Sequence, residues 1–201
     1  LTLGPFSASL PEHVRAMRIQ EKARDGFGDR LRLLRVDDQT CLAVDDRLNF
    51  DTKYGKQSAP VVTGRLGEGK LAFLPRHGED HSIAPHLINY RANLAALKEA
   101  GVTRVLAVCS AGGINPDAGP GTVVVPDQLI DYTWGRRQTI VDEDWPVSHI
   151  DFTRPFSDDW RNHVIDALGG TGVGPVDGGT CAVMQGPRLE TAAEVRRLAA
   201  D

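Results

Sequence analysis

Three times in this chain a short apolar segment runs into a loop that sets glycine beside a chemically useful side chain. Residues 70–74 lead into Pro75-Arg76-His77-Gly78, residues 105–108 into Cys109-Ser110-Ala111-Gly112-Gly113-Ile114, and residues 180–184 into Gly186-Pro187-Arg188-Leu189-Glu190-Thr191. The second of these constrains the fold most. Val105-Leu106-Ala107-Val108 is apolar without alternation, the composition of a strand buried on both faces of a sheet that helices cover. Ahead of it, Pro85 can open a helix whose positions Leu87, Tyr90 or Arg91, Leu94 and Leu97 recur every three or four residues until Gly101 closes it. Strand, loop, helix, strand, glycine-rich loop is the order of an α/β protein with ligands at the carboxyl ends of its strands.

The rest of the chain continues that rhythm. Tyr54-Gly55 and Gly64 mark turns, and Gly119-Pro120-Gly121 turns the chain into a further β-branched strand at 122–125. The connection over 131–156 is too long to be idle in a compact domain and reads as a lid or a subunit contact. A helix is expected over 158–168, stopped by Gly169-Gly170, and Thr191 with Glu194 has capping-box spacing for a last helix. Residues 1–47 are less regular. They read as a charged helix over 12–24 with Val14 and Met17 inward, a break at Gly26-Phe27-Gly28, and strands at 31–36 and 40–44. Arg15, Arg18, Lys22 and Arg24 read as a solvated helix face. The chain thus divides into a divergent segment, 1–47, and a domain, 48–201.

Composition bounds what such a domain can do. With 201 residues, 41% hydrophobic and 25% charged, the chain can bury a core as one domain. Its net charge of −4 disfavours nucleic acid as the main partner, since wrapping phosphates needs a basic surplus. The longest apolar stretch, 105–111, is far short of the roughly 20 residues of a membrane span, and the first residues lack an apolar signal core. A soluble, cytoplasmic protein without a membrane partner is expected. Cys41, Cys109 and Cys181 are odd in number and widely spaced, which fits reduced thiols and neither a disulfide framework nor a zinc site. Leu1 in place of Met, and an end at Asp201 inside a helical pattern, are what a piece of a longer domain would show.

The three loops share a chemistry. Glycines let backbone approach a ligand closely, and consecutive amides in such turns form anion-binding concavities. Arg76 beside His77 supplies fixed and titratable positive charge to the same anion. An oxyanion beside a flat ligand lying on glycine backbone is the picture that results. Each loop alone also has a plain structural reading: Gly-Gly after a strand as a tight turn, His81 and His86 as helix-entry residues, Glu190 as a carboxylate suited to a helix start.

Taken together, the residues resemble one family. Leu74-Pro75-Arg76-His77-Gly78, His81, Ile83, Asn89-Tyr90-Arg91-Ala92-Asn93-Leu94, Ser110-Ala111-Gly112-Gly113-Ile114, Val125-Pro126-Asp127-Gln128, His149-Ile150-Asp151-Phe152 and Gln185-Gly186-Pro187-Arg188-Leu189-Glu190-Thr191 are similar to the signature of the trimeric purine nucleoside and methylthioadenosine phosphorylases. The Pro-Arg-His-Gly loop and the Asn-Tyr-Arg-Ala-Asn helix most resemble the bacterial branch that acts on 5′-methylthio nucleosides. The resemblance covers about three quarters of the chain. It implies a three-layer α/β fold, a mixed central sheet flanked by helices, here truncated at its C-terminal side. It also implies phosphorolysis of 5′-methylthioinosine or 5′-methylthioadenosine to free purine and 5-methylthioribose 1-phosphate, with inorganic phosphate as co-substrate and no metal or organic cofactor.

By the same resemblance Arg76, His77 and His81 with the amide of Ser110 would bind phosphate, while Ala111 and Gly112 would floor the ribose and base. His149 would line the 5′-substituent pocket of a neighbouring subunit, implying a homotrimer. No residue is assigned as the catalytic acid or base. Glu190 would accept from the N1–H of a 6-oxopurine, which favours methylthioinosine, since adenine N1 is itself an acceptor. The chain departs from the pattern by lacking the Gly-Gly-[Ser/Thr]-Gly loop near its start and a Gly-Met-[Ser/Thr] segment after Asp201. Cys109 stands where the signature has Ser, Thr or Asn, and reads as a small buried packing residue. These departures keep a second reading open, a non-catalytic nucleoside-binding or assembly subunit of the same fold.

Overall fold

The computed structural model describes residues 19–21, 32–34, 43–66, 68–141 and 149–201. The first two stretches are strands β1 (Ile19–Glu21) and β2 (Arg32–Leu34), which pair antiparallel with Ile19 opposite Leu34. The charged helix expected over 12–24 is therefore corrected at 19–21. Pairing with β2 supplies these backbone groups with cross-strand partners, and tertiary pairing outweighs helix propensity. Val14, Met17, Arg15, Arg18, Lys22, Arg24, Gly26-Phe27-Gly28 and Cys41 lie outside the described residues, as does most of the strand expected at 40–44.

β3 (Ala43–Leu48), β4 (Val61–Leu66) and β5 (Gly69–Phe73) form an antiparallel meander in the order β3-β4-β5, with a bulge at Val44/Asp46. β4 is the strand the sequence reading passed over. Gly64, taken as a turn, lies inside it opposite both Val44 and Leu71. The β-branched Val61-Val62-Thr63 explains the strand, and Val61 and Val62 are buried at 0% and 3% exposure. Gly55 does turn the chain, with φ +93° and its amide donating to Thr52 O at 2.9 Å.

Pro85 opens only a 3-10 turn (Pro85–Leu87), and the helix α1 (Tyr90–Glu99) starts anew after Asn89. Asn89 Oδ1 accepts from Ala92 N at 3.1 Å while its Nδ2 donates to Tyr54 O at 2.7 Å, so one side chain caps the helix and ties it to the strand loop. The buried face is Ala92, Asn93 and Ala96; Leu87 and Leu94, expected inward, are 67% and 51% exposed. Small residues let the helix lie close, and buried Asn93 is satisfied by Ser58, accepting from its amide at 2.7 Å and donating to its hydroxyl at 2.9 Å. Gly101, at φ +81°, ends the helix with its amide on Lys98 O.

The doubly buried strand expected at 105–108 is not observed. Val105, Leu106 and Val108 are 50%, 54% and 42% exposed, and no described strand pairs with them. An apolar run becomes a strand only when neighbours take its backbone groups. Here side chains take two of its carbonyls instead: Trp160 Nε1 donates to Val105 O and Arg76 Nη1 to Val108 O, both at 3.2 Å.

Parallel pairing follows. β6 (Val124–Val125) pairs with β8 (Val176–Asp177), and β7 (Gln128–Asp131) with β9 (Thr180–Val183). Between them runs α2 (Asp158–Gly169), capped by Ser157 and carrying Asp158 and Asp159 in its first turn, where the helix dipole favours acids. Arg161 of α2 donates to Val125 O at 3.1 Å and Pro126 O at 3.0 Å and forms an ion pair with Asp177, joining helix to both strands of that pair. α3 (Ala192–Leu198) carries the expected Thr191/Glu194 capping box and ends at Leu198, three residues before Asp201. Antiparallel and parallel strands with helices in one chain make the mixed α/β arrangement.

Candidate functional site

The loop after β5 is wound tightly. Gly78 N donates to Pro75 O at 2.9 Å, His81 N to Gly78 O at 3.2 Å and Ile83 N to His77 O at 2.9 Å. Gly78 takes φ +81°, and His81 takes φ +54°, a left-handed conformation unusual for a non-glycine residue and often found where function demands it. The turns bring the His77 and His81 rings to 4.5 Å between centroids, tilted by 35°. His77 Nδ1 lies 2.8 Å from Ile83 O. A carbonyl only accepts, so Nδ1 carries a proton, and a hydrogen bond from Nε2 to an anion requires the imidazolium. Arg76, through Val108 O, fastens this loop to the segment that reaches Ser110 two residues later.

Ser110, Ala111 and Gly112 are exposed. Their neighbour Gly113 is held against the Asn115–Ala118 turn, where Ala118 N donates to Asn115 O at 2.9 Å; a Cβ on Gly113 would stand 1.9 Å from Ala118 O. A Cβ on Gly112 would meet nothing within 4 Å among the described residues. One glycine is required by the protein, and the other presents bare backbone to open space.

The third loop leaves β9 through Met184, Gln185 and Gly186. Gly186, at φ +60°, packs on Pro85: a Cβ there would lie 3.2 Å from Pro85 Cγ. The third loop is thereby set against the exit of the first. Arg188 forks onto Glu194 at 2.8 and 2.7 Å, and that contact, with the Thr191 amide, holds the Glu194 carboxyl down at about 2. The bonded Glu194 carboxylate raises the Arg188 guanidinium pKa, and half-buried Glu190, which accepts no hydrogen bond among the described residues, adds a smaller push in the same direction.

The structure thus brings Arg76, His77 and His81 next to the segment carrying Ser110, Ala111 and Gly112, and sets the loop carrying Glu190 beside Pro85. His149 is exposed on the connection between β7 and α2, and among the described residues no hydrogen bond joins it to these loops. Cys109, expected to be buried, is exposed, as is the run 105–108 that leads into it. Burial, then the nearby Cys109, pushes the Cys181 thiol up. Among the described residues no group of three His, Cys, Asp or Glu is placed to hold a metal, and no helix is long and apolar enough to cross a membrane.

Sequence reasoning missed Arg136. From the long connection after β7, its guanidinium reaches Gln185 Oε1, Gln185 O and Met184 O at 2.9, 2.6 and 3.3 Å, and the Tyr90 hydroxyl at 3.2 Å. Tyr90 in turn donates to Pro85 O at 3.1 Å. Beside this network a cleft of about 300 Å³ is lined by Tyr54, His86, Tyr90, Arg91, Arg136 and Arg137 among others, and by none of the site residues read from the sequence. The double arginine after Gly135 was the available signal, but only the fold shows what it meets.

Comparison with known proteins gives a consistent result. The family described as "Phosphorylase superfamily" matches residues 29–201. A probable S-methyl-5′-thioinosine phosphorylase of Xanthomonas campestris is 51% identical over 152 residues, 75% of this chain and 61% of that protein. An S-methyl-5′-thioadenosine phosphorylase of Mycolicibacterium smegmatis is 47% identical over 150 residues, 74% of this chain and 55% of that one. The chain therefore spans about three fifths of the length of these relatives. The structure of methylthioadenosine phosphorylase from Schistosoma mansoni in complex with adenine superposes with a TM-score of 0.75 at 31% identity, covering 82% of this chain and 66% of that one.

Proposed function

Because the chain belongs to the phosphorylase superfamily, we propose that it cleaves a purine nucleoside, 5′-methylthioinosine or 5′-methylthioadenosine, with inorganic phosphate. The products are the free purine and 5-methylthioribose 1-phosphate, so the reaction is a pentosyl transfer in purine salvage. The observation that supports this reading is the junction of two loops by Arg76 on Val108 O, which ties the loop of Arg76 and His77 to the segment that leads to Ser110. Phosphate held there would lie under the anomeric carbon of a sugar resting on Ala111 and Gly112. Positioning the nucleophile converts a bimolecular encounter into a near-unimolecular one, and its negative charge stabilises the oxocarbenium-like sugar as the base departs. Glu190 would accept from N1–H of a 6-oxopurine, which tilts the choice toward methylthioinosine.

The reaction in this scheme needs phosphate and no metal or organic cofactor, and it belongs to the cytoplasm. His149 acts in a neighbouring subunit of a homotrimer. In support, the connection that carries it also exposes Ile150 and Phe152, at 78% and 57%, as a subunit contact would. The test is release of hypoxanthine or adenine from 5′-methylthio nucleosides with and without phosphate; equal release in both would make the protein a hydrolase and overturn the proposal.

One observation favours a second reading. The apolar run 105–108 is exposed, as in a chain that acts within a larger assembly. A subunit that binds nucleoside without turnover would show calorimetric binding of the purine nucleoside and no phosphorolysis.

A further inference from the structure

The Arg136 network lies outside the residues that would touch substrate, yet its geometry bears on them. Arg136 is half-buried and, among the described residues, has no carboxylate among its hydrogen-bond acceptors. Its Nε and Nη2 hold the side-chain oxygen and the main-chain carbonyl of Gln185, Nη2 also reaches Met184 O, and Nη1 holds Tyr90 Oη. The Gln185 oxygen accepts a second bond, from Trp134 N at 3.3 Å. The guanidinium also lies 5.3 Å from the Tyr90 ring centroid. A planar fork with donors in fixed directions is the one side chain that can serve so many acceptors at once. These acceptors end at Gln185, and the next residue is Gly186, where the left-handed turn sends the chain toward Glu190.

We propose that Arg136 is a positioning residue for base recognition, acting through Gln185 and the Gly186 turn to hold the Glu190 carboxylate where a purine N1–H meets it. This rests on the phosphorolytic reading of the site. Through Tyr90 the same guanidinium reaches Pro85 O, so the base-side loop is registered against the exit of the anion-side loop. Loss of the fork lets the Glu190 loop move relative to the bound sugar, and a displacement near 1 Å from a group remote from the chemistry costs up to about 100-fold. Among the described residues Arg136 bonds Gln185, Met184 and Tyr90 and none of the proposed phosphate ligands, so phosphate affinity stays as it is.

The experiment compares Arg136→Ala, Arg136→Lys and Glu190→Ser with the unaltered protein in two readouts. In amide hydrogen exchange, both Arg136 variants speed exchange at residues 185–190 while α2 keeps its protection. In kinetics, kcat/KM for the 6-oxopurine nucleoside falls about 10-fold in Arg136→Lys and about 100-fold in Arg136→Ala. The hypoxanthine-to-adenine preference falls with it, and the phosphate KM stays within about twofold. If Arg136→Ala does not fold, Arg136→Lys carries both readouts. Unchanged exchange at 185–190 overturns the proposal. So does an unmoved base preference in the Arg136 variants when Glu190→Ser shifts that preference. A Glu190→Ser variant with unaltered preference overturns the base contact and with it this proposal, while phosphorolysis itself stands or falls on the phosphate-dependence assay; the exchange data then decide separately whether Arg136 holds the loop.

Discussion

Two adjacent glycines make opposite predictions. Both keep a φ that any L-residue adopts, so backbone strain enters neither case and space alone decides. On Gly113 a methyl group would lie 1.9 Å from Ala118 O, about 1 Å nearer than real contacts allow, and 2.9 Å from Ala118 C. The obstacle is backbone, in a turn already hydrogen-bonded from Ala118 N to Asn115 O, so it cannot swing aside. Gly113→Ala must open that turn, at a cost of about 1–3 kcal/mol typical of overpacking. At about 2–4 °C per kcal/mol for a chain of this size, Tm falls by roughly 2–12 °C. Gly112→Ala meets nothing within 4 Å among the described residues and removes freedom from the unfolded chain, worth about 0.4–1 kcal/mol of added stability.

Activity separates them in the other sense. The methyl group of Gly112→Ala would stand where the proposed floor meets ribose and base, so nucleoside kcat/KM drops by about 10- to 100-fold while the phosphate KM is unaltered. Scanning calorimetry and initial-rate kinetics read the two effects independently. A Gly112→Ala protein that melts lower, as Gly113→Ala should, would show that the space beside Gly112 is filled. One that melts normally and turns over normally would remove Gly112 from the ligand floor.

Arg76→Ala takes away both the proposed anion partner and the bond to Val108 O, so the phosphate KM rises at least about 10-fold with nucleoside binding retained; an unaltered phosphate KM removes Arg76 from the site. Asn93→Ala strands the half-buried Ser58 amide and destabilises by about 1–3 kcal/mol in denaturant titration, against about 1 kcal/mol for Ser58→Ala, which leaves the amide bond to Asn93 Oδ1 in place; a smaller loss in Asn93→Ala than in Ser58→Ala would show that the amide bond carries no weight. Glu194 titrates near 2 when folded, below its ordinary 4.5, so what its pairing with Arg188 and the Thr191 amide contributes is fully present above about pH 4.5 and is lost as pH falls through 2. Carboxyl NMR titration should return Glu194 toward 4.5 in Arg188→Ala, and a value still near 2 would assign the shift to the Thr191 amide instead.

What could be read along the chain divides by the distance over which the deciding interaction acts. The Thr191–Glu194 cap spans three residues and Gly101 ends its own helix, so side-chain chemistry and local spacing suffice for both. The start of α1 lies at Asn89 and not at Pro85, which the local spacing favours, because Asn89 is chosen partly by Tyr54, 35 residues away. Residues 105–108 have the composition of a central strand, but pairing partners, which composition does not contain, decide whether that composition becomes one. The candidate site shows the same division. Arg76, His77, Ser110 and Glu190 stand out because each occupies a glycine loop after an apolar run. Arg136 meets Tyr90 46 residues away and Gln185 49 residues away, and so leaves no periodic or local trace. A residue that binds a ligand is constrained by the loop that offers it, whereas one that aligns two loops is constrained only by the fold; the groups that set distances between candidate binding residues are therefore the ones a sequence reading is bound to miss.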